Sequence, residues 1–143
     1  ENIIGHADIA PQRKQDPGPM FPWAELGREG LVVWPNAAKV AAARPGFDQL
    51  LPEVSWFQDK LGTFGYATPR NGILDKETRN VITAFQMRYR PVTIDGTPDA
   101  ETAALLEALV PTPPVQTPIV PPVAPAAPAE PVPAPVVVPG TQQ

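Results

Sequence analysis

The chain has 143 residues, about the length of one domain, and its 11 basic and 15 acidic residues give a net charge of −4. It contains no basic excess and no basic patch interleaved with aromatic residues, so nothing in it indicates nucleic acid binding. Cysteine is absent, which excludes disulfides and thiolate metal sites within this chain. Apolar runs such as residues 31–34 are far too short to span a membrane.

Charged residues concentrate around the single histidine, near the start of the chain. The apolar residues Ile3 and Ile4 predict a short strand, which would place His6 at the strand's end, facing a cleft. Three prolines and one glycine follow in residues 11–19 and predict a loop whose backbone is partly fixed before folding. If residues 14–16 are extended, Lys14 and Asp16 point to the same side, toward His6.

His6 and Asp16 carry donor atoms of the kind that zinc binds. Catalytic zinc sites commonly use three protein ligands and a water, whose pKa the metal lowers to ~7. A neighbouring cation such as Lys14 would stabilise the oxyanion that forms when an amide is attacked. The set suits metal-assisted amide hydrolysis, and the alternative is a surface histidine beside a loop ion pair. Asp8 either orients His6 or is a solvated turn residue.

Residues 24–47 show weaker local patterns. Residues 24–30 predict a short helix that ends at Gly30, a common C-terminal stop. Residues 31–34 are apolar and predict a strand or a bridge to neighbouring structure. Residues 35–40 and 44–46 contain proline, asparagine and glycine, so both predict turns.

From residue 48 to residue 110 the apolar spacing becomes helical, and three helices are predicted. The first starts near Leu51, with Pro52 in its first turn, and stops by Gly65. The second runs over residues 75–89, and the third begins at Pro98 with Thr97 as its N-cap. The expected buried residues are Leu50, Leu51, Val54, Phe57, Leu61, Phe64, Val81, Ile82, Phe85, Tyr89, Leu105, Leu106, Leu109 and Val110.

The chain contains an internal repeat at the start of the second and third predicted helices. Residues 72–78 and 96–102 share glycine, aspartate, glutamate and threonine at matching positions. Glycine allows a tight turn, and acidic residues are favoured at the positive end of a helix dipole. We therefore expect these positions to be mainly structural.

Proline dominates the end of the chain. Twelve of the 22 prolines lie in the 33 residues after residue 110, where the single charge is Glu130. This composition cannot build a core, so we expect polyproline II conformation and disorder from 111 to 143. The segment would serve as a spacer or tether or as a ligand of a proline-recognition module, and an unfolded tail without a partner is the simplest interpretation.

Residues 5–23 resemble the last active-site segment of the AmpD/AmiD-type zinc N-acetylmuramoyl-L-alanine amidases, relatives of peptidoglycan recognition proteins. The resemblance implies that His6 and Asp16 bind zinc and that Lys14 stabilises the transition state. These enzymes cleave the amide between the lactyl group of N-acetylmuramic acid and L-alanine of the stem peptide. Their other histidine ligand, their acid/base residue and most of their mixed sheet lie upstream of this segment.

The chain opens on Glu1 and not on Met, and its first residues resemble a closing segment. We therefore expect the C-terminal portion of a longer protein, which by itself neither binds zinc tightly nor turns over substrate. A signal peptide or lipid anchor would lie upstream.

Residues 50–110 resemble the three-helix peptidoglycan-binding domain that is appended to cell-wall hydrolases. The resemblance is carried by the repeat, by Phe85 and Gln86, and by residues 94–96. Many members carry glycine where this chain has Asp99. Arg88, Tyr89 and Arg90 either contact stem-peptide carboxylates or sugars or are structural, since cations are expected at a helix C-terminus.

The resulting prediction is a mainly α chain. It comprises a C-terminal remnant of an α/β amidase domain (1–23), a connection (24–47), a three-helix peptidoglycan-binding domain (48–110) and a disordered tail (111–143). The predicted function is zinc-dependent N-acetylmuramoyl-L-alanine amidase activity in cell-wall turnover, and the alternative is a non-catalytic peptidoglycan-binding protein. We expect a monomer in the periplasm or cell envelope, with zinc as cofactor and peptidoglycan as partner.

Overall fold

The computed structural model describes residues 3–112. These residues form six helices and no strand, which confirms the mainly α class. The helices are α1 (His6–Ile9), α2 (Trp23–Arg28), α3 (Ala37–Gln49), α4 (Val54–Phe64), α5 (Lys76–Tyr89) and α6 (Ala100–Leu109). None of them is long and apolar enough to cross a membrane. The expected disorder of residues 111–143 concerns a segment that lies almost entirely outside the described range.

The core lies where α4, α5 and α6 meet. Fully buried side chains come from all three helices: Phe57, Leu61, Val81, Ile82, Phe85, Ala103 and Leu106. The apolar spacing of four and three residues therefore predicted the inward face of each helix correctly. Leu50 and Leu51 are exceptions, because α4 begins only at Val54, after Pro52 and the N-cap Glu53, and both leucines remain exposed.

A fourth helix packs on this core where the sequence predicted turns. The predicted turns at residues 35–40 and 44–46 are wrong, since α3 runs through Pro45. The Asn36 side chain caps α3 by accepting a 3.1 Å hydrogen bond from the Lys39 N–H. Alanine-rich sequence favours this helix, and α3 packs along α6. Phe47 of α3 also lies against Trp56 of α4, with ring centroids 5.4 Å apart. This packing offsets the backbone hydrogen bond that proline removes.

The predicted strand at Ile3 and Ile4 is also wrong. Both residues are exposed, and residues 3–112 contain no strand with which they could pair. The predicted strand at 31–34 is absent as well, and Trp34 packs against Tyr89 with its ring centroid 5.2 Å away. An apolar run needs a hydrogen-bonded neighbour to become a strand, which local sequence cannot supply.

The internal repeat is structural, and each copy is bound by a buried glutamine on the preceding helix. Gln58 of α4 accepts a 2.8 Å hydrogen bond from the Gly72 N–H and donates to the Thr78 hydroxyl at 2.9 Å. Gln86 of α5 accepts from the Gly96 N–H at 2.9 Å. It donates to the Thr102 hydroxyl at 3.3 Å. The same device therefore joins α4 to α5 and α5 to α6.

Aspartates of the repeat cap both following helices. Asp75 accepts from the Thr78 N–H and Asp99 from the Thr102 N–H, each at 2.8 Å. The third helix of the domain thus starts at Ala100, and Thr97 is not its N-cap. Thr97 instead donates its N–H to Asp95 at 2.9 Å within the preceding turn. Asp99 holds the capping position because its carboxylate satisfies an otherwise unpaired helix N–H.

Candidate functional site

His6 lies in the first turn of the short helix α1 and not at the end of a strand. Its Nδ1 atom is in direct hydrogen-bond contact with Oδ2 of Asp16. The backbone reinforces this pairing, because the Ala7 N–H donates a 3.0 Å hydrogen bond to the Asp16 carbonyl. Gly5 lies close to Pro17 and permits this approach. The structure therefore brings the two predicted ligands together.

Both side chains of the pair are accessible, with 65% of His6 and 56% of Asp16 exposed. The hydrogen bond from His6 lowers the pKa of Asp16 below its ordinary value, and the positive charge of Lys14 acts in the same direction. Asp16 is therefore an ionised carboxylate at neutral pH. That is the form in which a carboxylate binds a metal ion.

Lys14 lies between the two residues of the pair in the chain. Its backbone N–H donates a 2.9 Å hydrogen bond to the Ala10 carbonyl, which shapes the loop after α1. The side chain is exposed and forms no ion pair with any residue in the range 3–112. Its ammonium group is thus not neutralised by a described carboxylate.

One imidazole and one carboxylate fit two positions of a zinc site that uses three protein ligands. Within the described residues, no group of three histidine, cysteine, aspartate or glutamate side chains is placed to hold a metal ion. A third protein ligand would therefore come from outside this set. The donor chemistry fits zinc, and the arrangement within residues 3–112 supplies part of a site.

Asp8 is largely buried and is therefore not a solvated turn residue. Its side chain is only 13% exposed and forms an ion pair with Arg88 of α5 at 2.5 Å, and within residues 3–112 it makes no hydrogen bond with the His6 side chain. It also accepts hydrogen bonds from the Tyr66 hydroxyl at 2.7 Å and from the Gly5 N–H at 2.8 Å. Asp8 therefore connects α1 to the helical core. No local pattern indicates this pair, because its partners are far apart in sequence.

Arg88, Tyr89 and Arg90 are all occupied by contacts within the chain. Tyr89 is buried, and burial raises its pKa to about 12. Arg90 contacts Asp99 and lies 3.6 Å from a carboxylate oxygen of Glu101. These contacts favour the structural interpretation of the three residues over contacts with stem peptides.

Comparison with known proteins relates both halves of the described region to cell-wall proteins. Residues 51–106 match the family described as "Putative peptidoglycan binding domain". In sequence, the chain is 43% identical over 111 residues to N-acetylmuramoyl-L-alanine amidase AmiD of Escherichia coli K12. This match covers 77% of the chain and 40% of AmiD.

Two solved structures are similar at 41% sequence identity. One is E. coli AmiD in complex with the substrate anhydro-N-acetylmuramic acid-L-Ala-D-gamma-Glu-L-Lys, with a TM-score of 0.66. The other is AmpDh3 of Pseudomonas aeruginosa in complex with anhydromuramic pentapeptide, with a TM-score of 0.70. Each match covers 75% of this chain and 42% of the solved chain. The chain thus spans about two fifths of the length of these relatives.

Proposed function

We propose that this chain, which is related in sequence and structure to the AmpD/AmiD-type N-acetylmuramoyl-L-alanine amidases, forms part of such an enzyme. The proposed reaction is hydrolysis of the amide between N-acetylmuramic acid and L-alanine in peptidoglycan. The observation that carries the proposal is the contact between His6 and Asp16, two accessible residues with zinc-binding donor groups.

His6 and Asp16 would bind the zinc ion. When bound, zinc polarises a substrate carbonyl and lowers the pKa of a water molecule. The exposed ammonium group of Lys14 would lie near the developing negative charge of the amide oxygen and stabilise it. Asp16 would bind zinc as a carboxylate, and its hydrogen bond with His6 keeps its pKa below the ordinary value. Lys14 would thus be the catalytic residue contributed by this chain.

Residues 51–106 would bind peptidoglycan and keep the enzyme on its polymeric substrate. A domain that holds an enzyme on the cell wall favours action in the periplasm or cell envelope. With two of the three expected ligands, residues 3–112 alone would neither bind zinc tightly nor release stem peptides. Sub-micromolar zinc binding by the 143-residue chain in a calorimetric titration would contradict this part of the proposal.

The role of Lys14 can be tested in the full-length protein. Lys14→Ala should lower turnover of muropeptide by about 100-fold, the order expected for loss of one group that stabilises an oxyanion, without changing the zinc content. Lys39→Ala is the matched control, since Lys39 is an exposed lysine on α3. Loss of zinc from the Lys14→Ala variant would make Lys14 a structural residue.

A second candidate function is binding of peptidoglycan without catalysis. It is favoured by the match of residues 51–106 and by the presence of only two clustered metal-type donors in the described range. A pull-down on insoluble peptidoglycan, followed by analysis of released stem peptides, separates the two functions. Binding by the zinc-loaded full-length protein without release would support this second candidate.

A further inference from the structure

We propose that Arg88 is a positioning residue, which acts through Asp8 to fix the segment of residues 5–16 on α5 of the peptidoglycan-binding domain. We call residues 5–16 the site segment. The inference rests on the proposed function for the roles of His6, Lys14 and Asp16 in this segment. It adds a residue of the binding domain to the machinery that holds the candidate metal ligands.

Within residues 3–112, the guanidinium group of Arg88 donates hydrogen bonds to the N-terminal part of the chain, where its closest aromatic contact also lies. Its Nη1 atom donates to Asp8 at 2.5 Å, and its Nη2 atom donates to the Ile3 carbonyl at 3.2 Å. The guanidinium group lies over the ring of Trp23, 4.1 Å from the ring centroid. Only 8% of its side chain is exposed, and Ile3, Asp8 and Trp23, which all precede the domain, lie against it. A helix dipole alone favours a cation here but does not require burial.

Asp8 transmits this anchoring to His6. The helix α1 has only four residues, too few to be stable without external contacts. Its Asp8 carboxylate is held by Arg88, by the Tyr66 hydroxyl and by the Gly5 N–H. Burial raises the pKa of Tyr66 well above its ordinary value, so the hydroxyl keeps the proton that it donates. The orientation of α1, and with it that of His6, therefore depends on the contacts of Asp8.

The loop that follows α1 is attached near the opposite end of α5. Gln12 donates a 2.9 Å hydrogen bond to the Glu77 carbonyl and accepts one of 2.8 Å from the Asn80 amide. Glu77 and Arg88 are separated by roughly 16 Å along the helix, from a rise of about 1.5 Å per residue. The site segment thus lies along α5 and is held at both ends. The candidate metal ligands His6 and Asp16 are consequently held in one orientation relative to the peptidoglycan-binding domain.

The surroundings of the Asp8–Arg88 pair favour a strong interaction. Apolar side chains border it in a cavity of about 260 Å³, among them Ile3, Val32 and Phe64. Only 8% of the Arg88 side chain and 13% of the Asp8 side chain are exposed, so the pair is screened weakly, and removing one partner leaves the other charge buried. Loss of Arg88 should therefore loosen residues 5–8 of the site segment on α5, while the contacts of Gln12 remain.

The test uses the 143-residue chain with isotope labels. The Ala7 amide, which donates to the Asp16 carbonyl, reports on order in the site segment, and the Phe85 amide reports on the core. Hydrogen exchange is measured for both by nuclear magnetic resonance. The imidazole signals of His6 are followed during titration with millimolar zinc chloride. The variants are Arg88→Met and the matched control Arg79→Met, since Arg79 is an exposed arginine on the same helix.

For Arg88→Met we expect exchange at Ala7 to rise at least about tenfold relative to exchange at Phe85. The zinc concentration that gives half of the His6 signal shift should rise at least threefold. This increase corresponds to a loss of roughly 0.6 kcal/mol of binding free energy. Arg79→Met should leave both quantities within about twofold of the unaltered chain. Equal acceleration at Ala7 and Phe85, which indicates general destabilisation, would overturn the proposal, as would unchanged exchange at Ala7.

Asp8→Asn provides a second route if Arg88→Met does not fold, because it removes the charge and keeps the shape. It should have the same effects, and the double variant should be no worse than either single variant. Additive effects in the double variant would contradict a shared role. Zinc-loaded full-length protein that releases no stem peptides from peptidoglycan would overturn the proposed function, whereas selective release of Ala7 would still support anchoring by Arg88.

Discussion

Gly5 lies where the backbone segments that carry His6 and Asp16 pass close to each other. A Cβ atom at this residue would lie 2.6 Å from Cδ of Pro17 and 3.3 Å from the Asp16 carbonyl oxygen. The first distance is far below van der Waals contact, and the proline ring has little freedom to move. The absence of a side chain at Gly5 is thus a condition for the contact between the candidate ligands.

Gly5→Ala should separate α1 from the loop at Asp16. The added methyl group would force Pro17 away, so the hydrogen bond from the Ala7 N–H should break and exchange of that amide should accelerate at least about tenfold. Hydrogen exchange measured by nuclear magnetic resonance checks this expectation.

Gly46→Ala is the control for that substitution. Gly46 lies inside α3 with no atom within 4 Å of an added Cβ, so alanine should stabilise the chain by about 0.5–1 kcal/mol. Unchanged protection of Ala7 in Gly5→Ala would mean that the site tolerates a wider backbone separation.

Among the helices, the connection from α4 to α5 and the connection from α5 to α6 contain the same hydrogen-bond arrangement. In each, a fully buried glutamine binds a loop glycine N–H and a threonine of the next helix. Both glycines, Gly72 and Gly96, have positive φ values, of 70° and 66°. A residue with a Cβ rarely adopts that backbone conformation, which explains glycine at both positions.

Gln58→Met should destabilise the helical core by about 2 kcal/mol, because it leaves the Gly72 N–H and the buried Thr78 hydroxyl without their Gln58 partner. Methionine keeps a similar volume, so the loss reports on hydrogen bonds and not on a cavity. Urea denaturation followed by circular dichroism measures it.

Gln49→Met serves as the comparison, since Gln49 is exposed at the end of α3. Its effect should stay within about 0.5 kcal/mol. Equal effects of the two substitutions would show that the polar network of Gln58 contributes little.

Across the whole molecule, carboxylates that hold helix ends link stability to pH. Backbone and side-chain hydrogen bonds from Thr78 lower the pKa of Asp75. For Asp99, burial opposes ionisation, but hydrogen bonds from Thr102 and Arg90 outweigh it and lower the pKa. For Glu107, burial is likewise outweighed by hydrogen bonds from Lys60 and Thr112. These groups are distributed over the start of α5 and both ends of α6.

Stability should therefore fall on acidification. A carboxyl group whose pKa is lower in the folded state stabilises it fully above the unfolded values of 3.8 and 4.5 and loses this effect as pH falls through the folded value. We expect the urea midpoint to be steady near neutrality and to decline from about pH 5 to about pH 3. Asp99→Asn should reduce this decline, and an unchanged pH profile in that variant would exclude Asp99 as a contributor.

The confirmed predictions share a dependence on short stretches of sequence. Helical spacing of apolar residues located α4, α5 and α6, and the residues of the repeat marked the turns before α5 and α6. The relationship to AmpD/AmiD-type amidases was predicted from residues 5–23 and 50–110, and comparison with known proteins confirms it. The zinc and catalytic roles of His6, Lys14 and Asp16 stay predictions.

Local signals failed where long-range packing outweighed them. Proline and glycine at residues 45 and 46 indicated a turn, yet packing along α6 keeps α3 helical. Ile3 and Ile4 indicated a strand. They do not form one, because residues 3–112 contain no other strand with which they could pair. Arg88 fits the ordinary pattern of a cation at a helix C-terminus, and nothing in the sequence around it indicates that its partner is Asp8.

Helix positions, turn glycines and the identity of the candidate ligands can be read from this chain because each depends on residues a few positions apart. The attachment of the site segment to α5 cannot be read from the sequence, because the charge pair that holds it joins residues 80 positions apart. Residues that are close in sequence determine the local backbone conformation and the apolar periodicity, whereas the tertiary structure determines which distant charged residues are buried together. That choice places His6 and Asp16 beside the peptidoglycan-binding domain.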